Sequence, residues 1–77
     1  MADDDDLIRE SLKIILSIDD DIEVVGAFKN GDEAMKYCLN NPVDIALLDV
    51  RMPIMNGVEA TKEIAHRSNT KVIIQWI

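Results

Sequence analysis

The amino-acid sequence predicts an α/β fold built on a parallel sheet. Segments with apolar residues at helical spacing alternate with short apolar or β-branched runs, in the order α-β-α-β-α-β. Such alternation is typical of parallel βαβ units with right-handed crossovers. One apolar run ends on an acidic residue that turn residues follow at once, which is how parallel sheets present polar side chains at the carboxyl edge of their strands.

The first two predicted elements are an amphipathic helix and a strand. Helical spacing of apolar residues predicts a helix over residues 6–17, and Asp5 or Asp6 can cap its N-terminus, where negative charge also suits the helix dipole. After the polar turn Asp19-Asp20-Asp21, the β-branched residues 22–28 predict a strand. The apolar face predicted for the helix consists of Leu7, Leu12, Ile15 and Leu16.

The remaining predicted elements are two helices and two strands. Asn30-Gly31 turns the chain into a helix that begins at Asp32 and ends at Asn40-Asn41-Pro42. Residues 43–48 are apolar except for Asp44, and Val43 with the run Ile45-Ala46-Leu47-Leu48 predicts a strand buried on both faces. The chain then continues, in order, with the turn residues Pro53 and Gly57, a helix over residues 58–65 and a last strand over residues 71–77.

The charged residues are distributed unevenly along the chain. Residues 1–23 hold nine acidic and two basic side chains, whereas the other residues are balanced, so the net charge is −7. This distribution argues against a nucleic-acid-binding surface. The sequence shows neither a secretory signal nor an apolar run of membrane-spanning length, and Cys38 is a single cysteine. We therefore predict a cytoplasmic protein without membrane or nucleic-acid partners, in which Cys38 is a small buried thiol.

The candidate site combines two acidic segments. Asp49 ends the apolar run, and Asp3-Asp4-Asp5-Asp6 lie just before the first helix. Together they predict a divalent-metal site beside an aspartate that can accept a phosphoryl group, because Mg²⁺ prefers oxygen ligands. Two alternatives remain open from the residues alone. Asp49 can be a simple turn or cap residue, and the four aspartates can form a frayed acidic tail.

Several segments of the chain carry a resemblance to one known family. They are Ala2-Asp3-Asp4 with Leu7-Ile8-Arg9-Glu10-Ser11-Leu12, Asp21-Ile22-Glu23-Val24-Val25-Gly26, Asn30-Gly31-Asp32-Glu33-Ala34, the run from Asp44 through Asp49, Met52-Pro53, and Asn56-Gly57-Val58-Glu59-Ala60-Thr61. In this order and spacing they resemble the receiver domain of two-component response regulators. The residues of these segments are most similar to those of the subgroup that usually carries a C-terminal helix-turn-helix DNA-binding domain.

The resemblance implies a fold, a reaction and a metal. The fold would be flavodoxin-like, with strand order 2-1-3-4-5. Asp49 would accept a phosphoryl group from the phosphohistidine of a sensor histidine kinase. Asp3 and Asp4 would hold Mg²⁺, Asp4 more directly, together with Asp49 and the backbone carbonyl of Arg51. The domain would be a switch rather than an enzyme, in a parent protein that regulates transcription.

The resemblance also implies that residues 1–77 are a partial receiver domain. The family's first strand is reduced to Met1-Ala2, and its last helix, strand and helix have no counterpart. Where the family places a Ser or Thr that contacts the phosphoryl group, this chain has Trp76 within the ending Gln75-Trp76-Ile77. We expect Trp76 to be either an interface anchor or a sequence junction. The family's later lysine is also missing.

Loss of the first strand predicts an empty slot in the sheet between residues 22–28 and residues 43–48. Both strands would expose unpaired backbone groups in that slot, and such edges recruit other strands. We therefore expect the slot to be filled by strand exchange, with residues 71–77 as the candidate strand, or by formation of a homo-oligomer.

Three functions remain open from the sequence. The first is a phosphoacceptor signalling domain, and the second is a receiver fragment that cannot be phosphorylated and acts as a self-associating assembly module. The missing hydroxyl and lysine favour the second. The third is a small acidic cation-binding protein without a signalling role. Mg²⁺ binding that survives Asp49→Asn would favour this third function.

Overall fold

The structure is a computed structural model that describes residues 1–75, which form three helices and two strands. In chain order these are α1 (Asp6–Ser17), α2 (Gly31–Asn40), β1 (Ile45–Asp49), α3 (Gly57–Arg67) and β2 (Lys71–Gln75). The strands pair in parallel, with Ile45 opposite Lys71 and Asp49 opposite Gln75. The predicted α/β class and parallel pairing are therefore confirmed. The roles considered for Trp76 lie outside the described residues.

Short polar side chains determine where the helices begin. The Asp5 carboxylate accepts hydrogen bonds from two backbone N–H groups in the first turn of α1. Asn30 and Asn56 accept from the third residue of α2 and of α3, at 3.1 and 2.9 Å. Each cap pairs an N–H group that would otherwise lack a partner at the helix start. As a result, α2 and α3 each begin one residue before the predicted start.

The first residues of the chain lie inside the predicted slot. The Ala2 N–H donates to the carbonyl of Leu47 at 2.9 Å, and the Asp3 N–H donates to the carbonyl of Phe28 at 3.1 Å. Ala2 thereby forms parallel bridges with both Phe28 and Leu48. The prediction of an empty slot is therefore wrong at this end of the sheet, because Met1, Ala2 and Asp3 of the same molecule occupy it.

The strand predicted over residues 22–28 is also wrong. Residues 22–27 belong to no strand, and Phe28 forms only the isolated bridge with Ala2. A strand needs a partner along its length, and the three residues Met1–Asp3 reach only Gly26 and Phe28. Beside this segment lies a cavity of about 640 Å³, which Val24 and Ile45 help to line.

The hydrophobic core lies between the sheet and the helices α2 and α3. Cys38 is buried in it, as predicted. In contrast, α1 contributes little to the core: Leu7 is 76% exposed and Ile15 60% exposed, and the other two residues of its predicted apolar face, Leu12 and Leu16, are only half-buried. No helix within residues 1–75 is long and apolar enough to cross a membrane. The buried apolar core residues are Ala2, Ala34, Cys38, Ala46, Leu48, Met52, Ala60 and Ile64.

Candidate functional site

Asp49 is the last residue of β1 and is half-buried. Its backbone N–H donates to the carbonyl of Ala2 at 2.9 Å. The carbonyl of the next residue, Val50, accepts from the Gly57 N–H at 3.1 Å. The end of β1 is thus tied to the N-terminal segment on one side and to the start of α3 on the other. Asp49 accordingly lies at the carboxyl edge of the sheet, where parallel sheets bind ligands.

Asp3 and Asp4 directly follow the bridge residue Ala2. Asp3 is only 2% exposed, whereas Asp4 is exposed. The Asp3 Oδ1 atom accepts a hydrogen bond of 2.9 Å from the Asp5 N–H, which holds the carboxylate in one orientation. The bridge from Ala2 to Leu48 places this acidic loop beside Asp49. Pairing between distant parts of the chain therefore assembles the site.

The structure brings Asp3, Asp4 and Asp49 together. One carboxylate oxygen from each lies within 4.8 Å of the other two. Octahedral Mg²⁺, with bonds of about 2.1 Å, places neighbouring oxygens about 3 Å apart and opposite ones about 4.2 Å apart. The three carboxylate oxygens lie within 4.8 Å of one another, so the side chains would have to move closer together to bind such an ion jointly. Their charge and their oxygen donors suit it, because Mg²⁺ is bound through carboxylates, carbonyls and water.

Burial, a hydrogen bond and like charges all act on the Asp3 carboxyl. Burial raises the pKa of the Asp3 carboxyl above its ordinary value, and the negative charges of Asp49, Asp4 and Asp5 raise it further. The hydrogen bond from the Asp5 N–H acts in the opposite direction and lowers this pKa. Three carboxylates in one place thus disfavour the ionised form of the most buried one. A bound cation would remove that repulsion.

Asp5 and Asp6 have structural roles at the start of α1. Asp5 is the cap of the helix, as predicted for one of the two residues. Asp6 accepts a hydrogen bond from the guanidinium of Arg9, and this contact lowers the pKa of the Asp6 carboxyl. Since Asp3 is buried and its carboxylate accepts a hydrogen bond from the Asp5 N–H, the alternative of a frayed acidic tail is wrong.

The loop after Asp49 packs onto the core through its methionines. Met52 is 8% exposed and Met55 is half-buried against the core. The Arg51 side chain is exposed. Its backbone carbonyl stays a predicted metal ligand.

Two glycines allow close backbone contacts with this loop, a role that the sequence pattern did not indicate. A Cβ atom on Gly57 would lie 2.1 Å from the carbonyl oxygen of Asp49. A Cβ atom on Gly31 would lie 1.9 Å from the carbonyl oxygen of Met55. Because any side chain would collide with backbone at these positions, the starts of α2 and α3 can approach the loop only through glycine. Glycine directly after a capping asparagine is the sequence signal that marks both sites.

Ile54 occupies a strained turn in the same loop. Its φ angle is 70°, and the Met55 N–H donates to the Pro53 carbonyl at 2.7 Å across it. Left-handed backbone costs an L-residue about 1–2 kcal/mol, whereas the extra freedom of an unfolded glycine costs about 0.5–1 kcal/mol. Because Ile54 is 79% exposed, little packing is lost on truncation. We expect Ile54→Gly to raise the free energy of unfolding by about 0.5–1 kcal/mol in urea titrations.

Ile18→Gly is the matched control for this prediction. Ile18 is 77% exposed, but its φ angle is −70°, so glycine relieves no strain there. Ile18→Gly should lower the free energy of unfolding by about 0.5–1 kcal/mol. Equal effects of the two substitutions would contradict a strained backbone at Ile54.

Comparison with known proteins identifies relatives of the chain. Residues 1–75 match the family model of the response regulator receiver domain. The chain is 39% identical over 75 residues to the response regulator UvrY of Escherichia coli, covering 96% of this chain and 34% of UvrY. It is 41% identical over 64 residues to the transcriptional regulatory protein LnrK of Bacillus subtilis, covering 83% of this chain and 29% of LnrK. The chain thus spans about a third of the length of these curated relatives.

The fold is also found in a solved structure. The response regulator domain of Thermotoga maritima CheB superposes with a TM-score of 0.92 and 36% identity, covering 97% of this chain and 56% of that one. A further relative is a protein-glutamate methylesterase/protein-glutamine glutaminase of Pseudomonas fluorescens. It is 43% identical over 65 residues, which is 84% of this chain and 19% of that enzyme. Similar sequences therefore occur in more than one kind of larger protein.

Proposed function

Because the chain belongs to the response regulator receiver domain family, we propose that it accepts a phosphoryl group on Asp49. The observation that carries this proposal is the meeting of Asp3, Asp4 and Asp49 at the carboxyl edge of the sheet, with oxygens within 4.8 Å of one another. Burial of the Asp3 carboxylate beside two like charges costs folding free energy, and a bound cation would offset that cost. Such a cluster is suited to a cation and a phosphoryl group.

The metal in this proposal is Mg²⁺. Asp3, Asp4, Asp49 and the backbone carbonyl of Arg51 would hold it, and when bound it neutralises charge on the phosphoryl oxygens. The chain itself orients the ligands. The Asp5 N–H holds one oxygen of Asp3, and the bonds of Asp49 and Val50 to Ala2 and Gly57 hold the end of β1.

The reaction is a displacement at phosphorus. A carboxylate oxygen of Asp49 forms the new bond to phosphorus. With a phosphohistidine donor, the bond from phosphorus to the imidazole nitrogen breaks, and the nitrogen keeps the electron pair. With acetyl phosphate, the bond from phosphorus to the acetyl oxygen breaks and acetate leaves. The product in both cases is an acyl phosphate on Asp49.

The proposed partner is a sensor histidine kinase, and the proposed role is a cytoplasmic signalling switch rather than an enzyme. A phosphoryl group adds about 1.5–2 negative charges and strong hydrogen-bond acceptors, which a second surface can detect. The name of the Bacillus subtilis relative supports a parent protein that regulates transcription. The methylesterase relative leaves an enzymatic parent as the alternative.

A second candidate function is self-association into an assembly module. It is favoured by the cavity of about 640 Å³ beside residues 22–27, which form no strand. Backbone groups next to such a cavity can pair with a strand from a second copy. Sedimentation at micromolar concentration should then show a dimer or a larger species. A single monomeric species would reject this candidate.

The experiment that tests the first function is intact mass spectrometry of the chain after incubation with acetyl phosphate. We expect the addition of one phosphoryl group in the presence of Mg²⁺ and none with excess chelator. Circular dichroism on the same samples establishes that the chain is folded. A folded chain that gains no phosphoryl group with Mg²⁺ would show that the site does not support phosphotransfer.

A further inference from the structure

We propose that Arg9 is a positioning residue that sets the geometry of the two candidate metal ligands Asp3 and Asp4. This inference rests on the proposed function, because it concerns Mg²⁺ binding at the same site. Arg9 lies near the start of α1 and contacts the backbone of the acidic loop. The sequence pattern did not indicate a role for Arg9.

Arg9 is buried although it carries a full charge. Only 8% of the residue is exposed, whereas the side chain of its partner Asp6 is 73% exposed. The Arg9 Nη1 atom donates a hydrogen bond of 2.9 Å to the backbone carbonyl of Asp3, and Nη2 donates to the Asp6 carboxylate. A planar guanidinium offers both donors in one rigid fork. Arg9 therefore links the acidic loop to the helix that follows it.

The carbonyl that Arg9 holds belongs to the peptide unit between Asp3 and Asp4. Because that unit is planar, fixing its oxygen also fixes the nitrogen of Asp4 and the direction in which the chain leaves Asp3. The other groups of Asp3 are held separately, since its N–H bonds Phe28 at 3.1 Å and its Oδ1 atom accepts from Asp5 at 2.9 Å. The hydrogen bond from Arg9 thus sets the orientation of Asp4 relative to Asp3.

The role of Arg9 is geometric rather than electrostatic. Its guanidinium is paired with the Asp6 carboxylate, and its contact with Asp3 is to the backbone carbonyl rather than to the carboxylate. A nearby positive charge alone would repel a bound cation. A positioning role and a charge role therefore predict opposite changes in cation affinity when Arg9 is replaced by a neutral residue.

The test is calorimetric titration of the folded wild-type and variant chains with Mg²⁺ and, separately, with Ca²⁺. Arg9→Met keeps much of the apolar stem but removes the donors and the charge. We expect it to weaken Mg²⁺ binding by about tenfold or more, the usual effect of losing a partner that orients ligands. Ca²⁺ binding should weaken less, because Ca²⁺ tolerates irregular geometry whereas Mg²⁺ requires an octahedral arrangement.

Arg67→Met is the matched control, since it makes the same charge change on α3 at a side chain that is 59% exposed. It should leave both affinities unchanged. Arg9→Lys retains the charge but has only one donor nitrogen in place of the guanidinium fork, so we expect Mg²⁺ affinity between those of wild type and Arg9→Met. If Arg9→Met does not fold, Arg9→Lys replaces it in the test, and we expect this variant also to lose more affinity for Mg²⁺ than for Ca²⁺.

These outcomes distinguish failure of the positioning role of Arg9 from failure of the proposed Mg²⁺ site. Tighter binding of both cations by Arg9→Met would assign Arg9 a charge role and overturn the positioning role. Unchanged affinities for both cations would overturn it as well, and would leave the Mg²⁺ site itself supported. A wild-type chain that binds no Mg²⁺ would instead reject the proposed metal site together with this inference.

Discussion

Asp49→Asn is expected to abolish the phosphoryl adduct that the wild-type chain forms with acetyl phosphate and Mg²⁺. An amide oxygen is not an anionic nucleophile, so it cannot displace acetate from phosphorus. The substitution also removes one of the three clustered carboxylates, which lowers the negative charge available to a cation. Intact mass spectrometry should therefore show only the unmodified variant under conditions in which the wild type is modified.

Asp44→Asn is the matched control for this substitution. Asp44 lies just before β1, at the opposite end of the strand from Asp49, and it is exposed. Its contact with β2 uses the backbone carbonyl, which accepts from the Lys71 N–H at 3.0 Å, so the side chain can change without loss of that bond. Asp44→Asn should be phosphorylated like the wild type. An adduct on the Asp49→Asn chain would place the acceptor on another residue.

Gly57→Ala is expected to destabilise the chain by about 2 kcal/mol, although alanine usually favours helices. At an interior helix position, glycine is less favourable than alanine by about 0.8–1 kcal/mol. Here the added Cβ atom would lie 2.1 Å from the Asp49 carbonyl oxygen and 3.1 Å from the Val50 Cα atom. Backbone cannot rotate away as a side chain can, so α3 or the end of β1 must move, at a cost of about 1–3 kcal/mol or more.

The measurement is urea unfolding of the wild-type and variant chains, with the midpoint shifted to lower urea and the slope unchanged. Gly26→Ala is the control, because the atoms that its Cβ would meet at 2.8 Å belong to the ring of Phe28. That ring is half-buried beside Tyr37, with centroids 5.4 Å apart, and can turn by a small angle. Gly26→Ala should cost less than about 1 kcal/mol. Equal losses from both substitutions would refute the backbone clash at Gly57.

The helices could be predicted from the sequence because their signals are local. Apolar spacing and a capping residue before each helix predicted α1 as observed and the other two with small errors at their ends. The same spacing did not predict what α1 packs against. Leu7 is exposed and Arg9 is buried, which reverses the usual preference of these residue types. Burial depends on which parts of the chain surround the helix, and no local pattern reports that.

The sequence indicated the candidate site residues but not their arrangement. Acidic residues at the end of an apolar run and before a helix indicated Asp49 and the four aspartates Asp3-Asp4-Asp5-Asp6, and the family resemblance selected Asp3 and Asp4 among the four. The bridge from Ala2 to Leu48 that joins the two segments was expected to be missing and is present. The Arg9 and Gly57 contacts with the backbone of Asp3 and Asp49 were not anticipated. Each of these contacts joins residues by their positions in space, which spacing along the chain does not specify.

The sequence alone determined the α/β class and the helices, because both depend on residue types at short spacing. It also indicated the candidate acidic residues, and the family followed from the resemblance of several segments in order. The tertiary structure decided which segments pair. Residues 22–27 form no strand, because Met1–Asp3 are too short a partner for them. The same first residues bring Asp3 beside Asp49. The physical reason is that a strand and a binding site are both formed by groups that meet across the chain, whereas a helix satisfies its backbone hydrogen bonds within itself.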